Sequence, residues 1–294
     1  MTPRTEQRIA RRELLAGVLA AAAAPGVRTK AIRVGCQTRL YGVPIRERAK
    51  LLFVLDDLAT LGYEGFETNF SSLEPSFEQP APLRAEFEKR RVGLIGLHMS
   101  AKFDPATLEK DRAQIERVAT ATRAFGGTHL MLSGAGVPRD VRGAIDHAAL
   151  ERRCAELDRA GKRCREIGIR LCSHNHAKEL ENNAEELRAV LAATDPKNVS
   201  MLLDIAYVHT AGLHPAALIR EIGPRCAGLH VRDMKGAKEA VMGTGEIDYQ
   251  GLAEALRASR WSGWVILEMN QRPDFTSREL AEIGRKYMRE VMNM

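Results

Sequence analysis

The chain has 294 residues, 45% apolar and 28% charged, which reads as an ordinary soluble globular protein of one large domain. Its five cysteines are odd in number, scattered and without CxxC spacing, which excludes a disulfide framework and a structural zinc module. The formal charge is +6, but residues 1–30 alone carry six basic and two acidic side chains, so the excess is no evidence for nucleic-acid binding by the rest.

The first 30 residues read as a separate segment. Arg11-Arg12 precedes Leu14-Leu15, a weakly apolar alanine-rich run and Pro25-Gly26. A basic start, a twin arginine and small residues before a cleavage point make a twin-arginine export signal, with Ala21 and Ala23 supplying the small-x-small pattern. The run from Leu14 to Ala24 falls short of the ~20 residues that span a bilayer. The expectation is an exported protein, periplasmic or extracellular, without a stable membrane anchor.

From residue 31 onward, short apolar runs recur about every 33 residues, a spacing that suits strand–helix units. They are Ile32–Gln37, Gly65–Thr68, Gly93–His98, Thr128–Ser133, Ile169–His174, Val199–Asp204, Ala227–Val231 and Trp264–Met269. Each is bounded by glycine or polar residues, as buried parallel strands are. Between them lie helical patterns. Arg48 to Leu61 has a leucine stripe that stops at Gly62, and Asp104-Pro105 begins another helix. Further patterns run Ala148 to Ile167, Asn182 to Leu191, His214 to Ile222, Tyr249 to Ser259 and Ser277 to Met292. Eight such units predict an α/β fold, a single (β/α)₈ TIM barrel over 31–294, with its active site at the C-terminal rim of the strands.

Four consecutive strand ends carry metal-type side chains: His174, Asp204, His230 and Glu268. Singly each has an ordinary explanation; Asp204, for example, would cap a following helix. Together they would converge above the barrel axis. Two imidazoles and two carboxylates suit one divalent ion, with Mn²⁺ placed first and Zn²⁺, Co²⁺ or Fe²⁺ as alternatives. His176 lies two residues beyond His174 and so shares its face. Glu67 and His98 end strands two and three; they either bind substrate hydroxyls or solvate the rim.

The segments Gly62-Tyr63-Glu64-Gly65-Phe66-Glu67, His174-Asn175-His176 with Glu179, Leu203-Asp204, His230-Val231-Arg232-Asp233-Met234-Lys235, Gly243-Thr244-Gly245-Glu246-Ile247-Asp248 and Leu267-Glu268 resemble the xylose isomerase-like superfamily of sugar phosphate isomerases/epimerases. The resemblance covers roughly residues 31 to 294. It implies metal ligation by Asp204, His230 and Glu268, with His174 where the usual strand-five glutamate stands. It also implies a small carbohydrate or polyol as substrate, with Glu67, His98, Glu179 and Arg232 around it. The endonuclease branch is excluded, because Tyr207 replaces a zinc-binding histidine and no Asp-Arg-His precedes Gly243. Glu268 and His176 are expected as acid and base for removal of an α-proton through an enediolate, giving isomerisation or epimerisation. The alternatives are a lyase or hydratase acting on a keto-sugar or 3-keto-glycoside, and a non-catalytic sugar-binding barrel.

Overall fold

Each of the eight apolar runs forms a strand, and the strands close on one another in parallel. The computed structural model describes residues 32–294; the expected export segment lies outside them. The barrel strands are β1 (Ile32–Gln37), β2 (Gly65–Asn69), β3 (Gly93–Ser100), β4 (His129–Ser133), β5 (Arg170–His174), β6 (Val199–Asp204), β7 (Cys226–Val231) and β10 (Gly263–Leu267). Their order around the barrel is β1-β10-β7-β6-β5-β4-β3-β2. A small antiparallel hairpin, β8 (Asp233–Lys235) and β9 (Lys238–Ala240), follows the C-terminal end of β7. No helix among the described residues is long and apolar enough to cross a membrane.

The helical stripes behave as their spacing predicts, with a few instructive differences. Helix α1 (Arg48–Leu61) ends on left-handed Gly62. Pro105 does not open a helix, since residues 105–107 make a turn closed by the Thr107 amide on the Asp104 carbonyl, and α4 runs Leu108–Ala124. Helix α5 (His147–Ile167) is capped by the Asp146 side chain. Two short elements after β2 and β6, α2 (Phe70–Leu73) and α7 (Ile205–Thr210), and the helix α3 (Ala81–Arg90) were not apparent from the pattern. Helix α3 has little apolar periodicity and two prolines near its start, which a first helical turn tolerates. Helix α6 (Glu181–Ala193) begins with three consecutive left-handed residues, Asn182, Asn183 and Ala184. Helices α8 (Pro215–Ile222), α9 (Tyr249–Ala258) and α10 (Ser277–Glu290) complete the outer layer.

The strands have two buried faces. Outward residues pack under the helices in one large apolar cluster that takes in Cys154, Cys164 and Trp261. Inward residues form a second, smaller plug of Ile95, Met131, Cys172, Leu202, Ala227, Trp264 and Ile266. At Gly65 a Cβ would press on Ile95 and Trp264, and at Gly228 on Leu202, so glycine there makes room for the large plug residues. All five cysteines are free and buried. Because a strand repeats every two residues, positions two beyond the plug return to the inside of the barrel, one layer higher. Those positions are Ser133, His174, Asp204 and Glu268, and Glu67 and His230 stand in the same way two beyond Gly65 and Gly228, the glycines that make room for the plug. The apolar plug thus forms a floor, and a polar layer stands on it.

Candidate active site

Burial makes each polar group in this layer expensive unless it is partnered, and Glu67, His230 and Glu268 find partners in one another. Glu67, fully buried on β2, places one carboxylate oxygen 2.8 Å from His98 Nδ1 and the other 2.7 Å from His230 Nε2. His98 Nε2 bonds the Ser133 hydroxyl at the end of β4. His230 Nδ1 lies 2.8 Å from Glu268 Oε2. Hydrogen bonds therefore cross the barrel mouth from Ser133 through His98 and Glu67 to His230, and an ion-pair contact too poorly aligned for a hydrogen bond joins His230 to Glu268. The His174 ring stands edge-on to His98, 5.2 Å between centroids, and 4.8 Å from that of His230. His176 meets His174 edge-on at 5.0 Å and Tyr207 at 5.6 Å.

The protonation states follow from these neighbours. Burial opposes charge on His230, but Glu268 and Glu67 on its two sides outweigh it and hold the imidazolium well above the usual histidine range. Burial likewise raises Glu67 and Glu268, yet the His230 charge beside each prevails, and both stay below the usual glutamate range, Glu268 far below. His174 is pushed well down by burial and by the nearby His230 and His98 charges. His176, half-buried, is lowered by burial and by His98.

These residues fit a divalent ion. Ligand atoms of His174, His230 and Glu268 all lie within 4.8 Å of one another. His174 Nδ1 is buried without a hydrogen-bond partner among the described residues, and burial keeps its ring neutral. His230, an imidazolium between its two carboxylates, would give up its Nδ1 proton on taking up the ion, because an imidazole ligand is neutral. Two histidines and one carboxylate are a common catalytic ligand set that leaves coordination positions open. Glu67 would then serve as the carboxylate that orients His230 through its far nitrogen.

The other expected site residues are placed differently. Asp204 is not in the cluster. Its Oδ1 caps α7 by accepting the Ala206 and Tyr207 amides, and its Oδ2 lies 2.9 Å from Arg232 Nη2. Burial raises its pKa to about 6 even though Arg232 pulls it down. Arg232 also stacks over the Tyr207 ring at 4.6 Å, so it faces the mouth as part of an Asp204–Arg232–Tyr207 group. Glu67 and His98 stand in the cross-barrel chain, the two Glu67 oxygens on His98 and His230 and His98 Nε2 on Ser133. Glu179 is buried, accepts the His176 amide at 3.1 Å and lies 3.6 Å from Arg153, so it holds the β5 loop in place. Ser133 and Asn175, whose Oδ1 accepts the Asp204 amide, were missed from sequence. Ser133 had a usable signal, being two residues beyond plug residue Met131 on an apolar strand.

Against known proteins, the model of the xylose isomerase-like TIM barrel family matches residues 55–291. An inosose dehydratase of Lacticaseibacillus casei is 24% identical over 271 residues, covering 82% of this chain and 89% of that protein. Another from Geobacillus kaustophilus is 25% identical over 252 residues, covering 75% and 80%. Among solved structures, an L-ribulose 3-epimerase superposes with a TM-score of 0.76 at 16% identity, over 89% of this chain and 95% of that one. A sugar phosphate isomerase/epimerase from Parabacteroides distasonis gives 0.73 at 15% identity, over 92% and 98%.

Proposed function

The chain belongs to the xylose isomerase-like TIM barrel family, and from that membership we propose that it is a divalent-metal-dependent enzyme acting on a small carbohydrate or polyol with a carbonyl group. The reaction begins with removal of the proton on the carbon next to that carbonyl. The single observation that carries this reading is the buried, unpartnered His174 Nδ1 beside His230 and the ionised Glu268. His174, His230 and Glu268 would hold the ion, whose contribution is Lewis-acid stabilisation of the negative charge that develops on the substrate.

The chain's own residues divide the remaining work. His176 is neutral and sits at the open side of the cluster, so its imidazole can accept a proton from the substrate carbon. Glu268 is the second group able to take or return a proton. Glu67 and Ser133 fix the His230 and His98 rings. Return of the proton to the other face gives an epimer, and return to the neighbouring carbon gives an isomer. Isomerisation or epimerisation is the first outcome proposed. A second, elimination of a β-substituent, is favoured by one observation: His174 replaces the strand-five glutamate, so a pair of opposed glutamates is missing. The dehydratase names of the relatives in sequence point the same way. The proposal also has the chain exported, on the strength of Arg11-Arg12 and the alanine run after it.

Incubation with a panel of keto-sugars and keto-polyols in deuterated water tests this. Solvent deuterium is expected at the carbon next to the carbonyl of recovered material, together with an epimer, an isomer or an unsaturated product. Saturable sugar binding with no exchange on any member of a broad panel would contradict it and leave a non-catalytic sugar-binding barrel.

A further inference from the structure

Beside the mouth, a cavity of about 440 Å³ opens between the loops that follow β3, β4 and β5. That volume is within the range of small-molecule sites. Five basic side chains line it, Lys102, Arg139, Arg152, Arg153 and Lys178, against one acidic one, Asp104. Two of the five are neutralised: Arg153 by Glu186 at 2.7 Å with Glu179 at 3.6 Å, and Arg139 by Glu181 and Glu185 at 3.0 and 2.7 Å. Lys102, Arg152 and Lys178 have no ion-pair partner among the described residues, and Arg152 Nε donates to the Phe103 carbonyl. The cavity therefore keeps an excess of positive charge. In the same wall, Arg139 Nη2 is buried with no hydrogen-bond acceptor. A buried guanidinium donor left without an acceptor is costly, and a small shift of the wall around a bound anion would give it one.

The cavity is tied to the catalytic residues by short stretches of chain. Ala135 in its wall is two residues beyond Ser133, and Lys178 is two beyond His176, so each Cα lies at most about 7 Å from that of its partner at the mouth. Gly136, with φ +72°, passes so close to Lys178 that a Cβ there would come within 2.6 Å of the lysine Cβ; glycine leaves the space open. The loops that line the cavity are thus continuous with the strand ends that carry Ser133 and His176.

We infer that this cavity is an anion subsite that takes a phosphoryl or carboxylate group of the substrate. The inference rests on the proposed function only for the link to a sugar; anion binding is independent of it. The test is therefore made on protein treated with chelator, where the metal cluster offers no competing anion site. Inorganic phosphate and malonate are titrated separately and followed by protein NMR shifts. One saturable site is expected for at least one of them, with shifts at Gly136 and Lys178. Lys102→Glu combined with Lys178→Glu, both exposed and compatible with folding, is expected to weaken it by about tenfold or more, while Lys197→Glu elsewhere leaves it unchanged. Tighter phosphate assigns a phosphorylated substrate, and tighter malonate a sugar acid. Absence of saturable binding of either anion, or binding indifferent to the double substitution in a variant with unchanged melting temperature, would overturn the inference. Turnover is not read, so loss of the metal-enzyme reading would leave this result standing.

Discussion

Glu268→Gln is expected to lower turnover by about 10²- to 10⁴-fold, the range for loss of a positioned acid–base group. The side chain is nearly isosteric, so the effect separates charge from shape. Glu268 is one of the three clustered ligand residues, it faces His230 Nδ1 at 2.8 Å, and its carboxylate is held ionised by that contact. An amide in its place removes both the negative ligand and the proton acceptor. His230 would keep Glu67 as its remaining anionic partner. Steady-state kinetics on whichever substrate shows exchange, beside the wild type, measures the loss. A Glu268→Gln enzyme with unimpaired turnover would sink the assignment of this residue.

Arg153→Met is expected to have the largest effect on stability, about 3–5 kcal/mol, because it removes one partner from a buried ion-pair group and leaves the other charges unpaired. The guanidinium is buried between Glu186 and Glu179 and lies against Gly134, while Glu186 Oε2 accepts the Val137 amide at 2.7 Å. It therefore joins the β4 loop, the β5 loop and α6. At roughly 2–4 °C per kcal/mol for a chain of this size or somewhat smaller, the melting temperature should fall by on the order of 10 °C. The loss should also depend on pH. Burial already raises Glu186 above the usual glutamate range, with Arg153 opposing it. Without Arg153 the rise is larger. A carboxyl whose folded pKa is raised contributes favourably when protonated and costs stability as pH climbs through that pKa. The variant should therefore lie furthest below wild type near neutrality and closest in mild acid, provided the fold itself survives there. A change below about 1 kcal/mol at neutral pH would show that the group is not a structural tie.

Much of this architecture was legible because barrel strands are short, buried on both faces and punctuated by glycine. The runs at Ile32–Gln37 and Val199–Asp204 coincide with β1 and β6, and the leucine stripe from Arg48 to Leu61 is α1 to the residue. What sequence periodicity does not carry was missed. Helix α3 is held by its place between β2 and β3 rather than by an apolar stripe, and the left-handed turn at Asn182–Ala184 depends on tertiary contacts. The candidate site divides in the same way. Strand-end position was enough to pick out His174, His230 and Glu268, because the two-residue repeat puts them on the inward face. It could not say which oxygens and nitrogens find which partners. Asp204 has the same strand-end signature, yet its carboxylate is taken by the α7 cap and Arg232. Glu67 was correctly brought to the mouth, but its bridging of two histidines from β3 and β7 pairs residues 31 and 163 positions apart, which no local pattern encodes.

The measurement that bears most directly on this account is the metal content of purified protein, set beside His174→Ala and Glu67→Gln. About one divalent ion per chain is predicted for the wild type, with metal lost from His174→Ala and affinity reduced about 10- to 100-fold in Glu67→Gln, where the partner that orients His230 is weakened. Protein prepared without chelators that holds no ion, and takes up neither Mn²⁺ nor Zn²⁺ when they are supplied, would contradict the metal centre and the chemistry built on it.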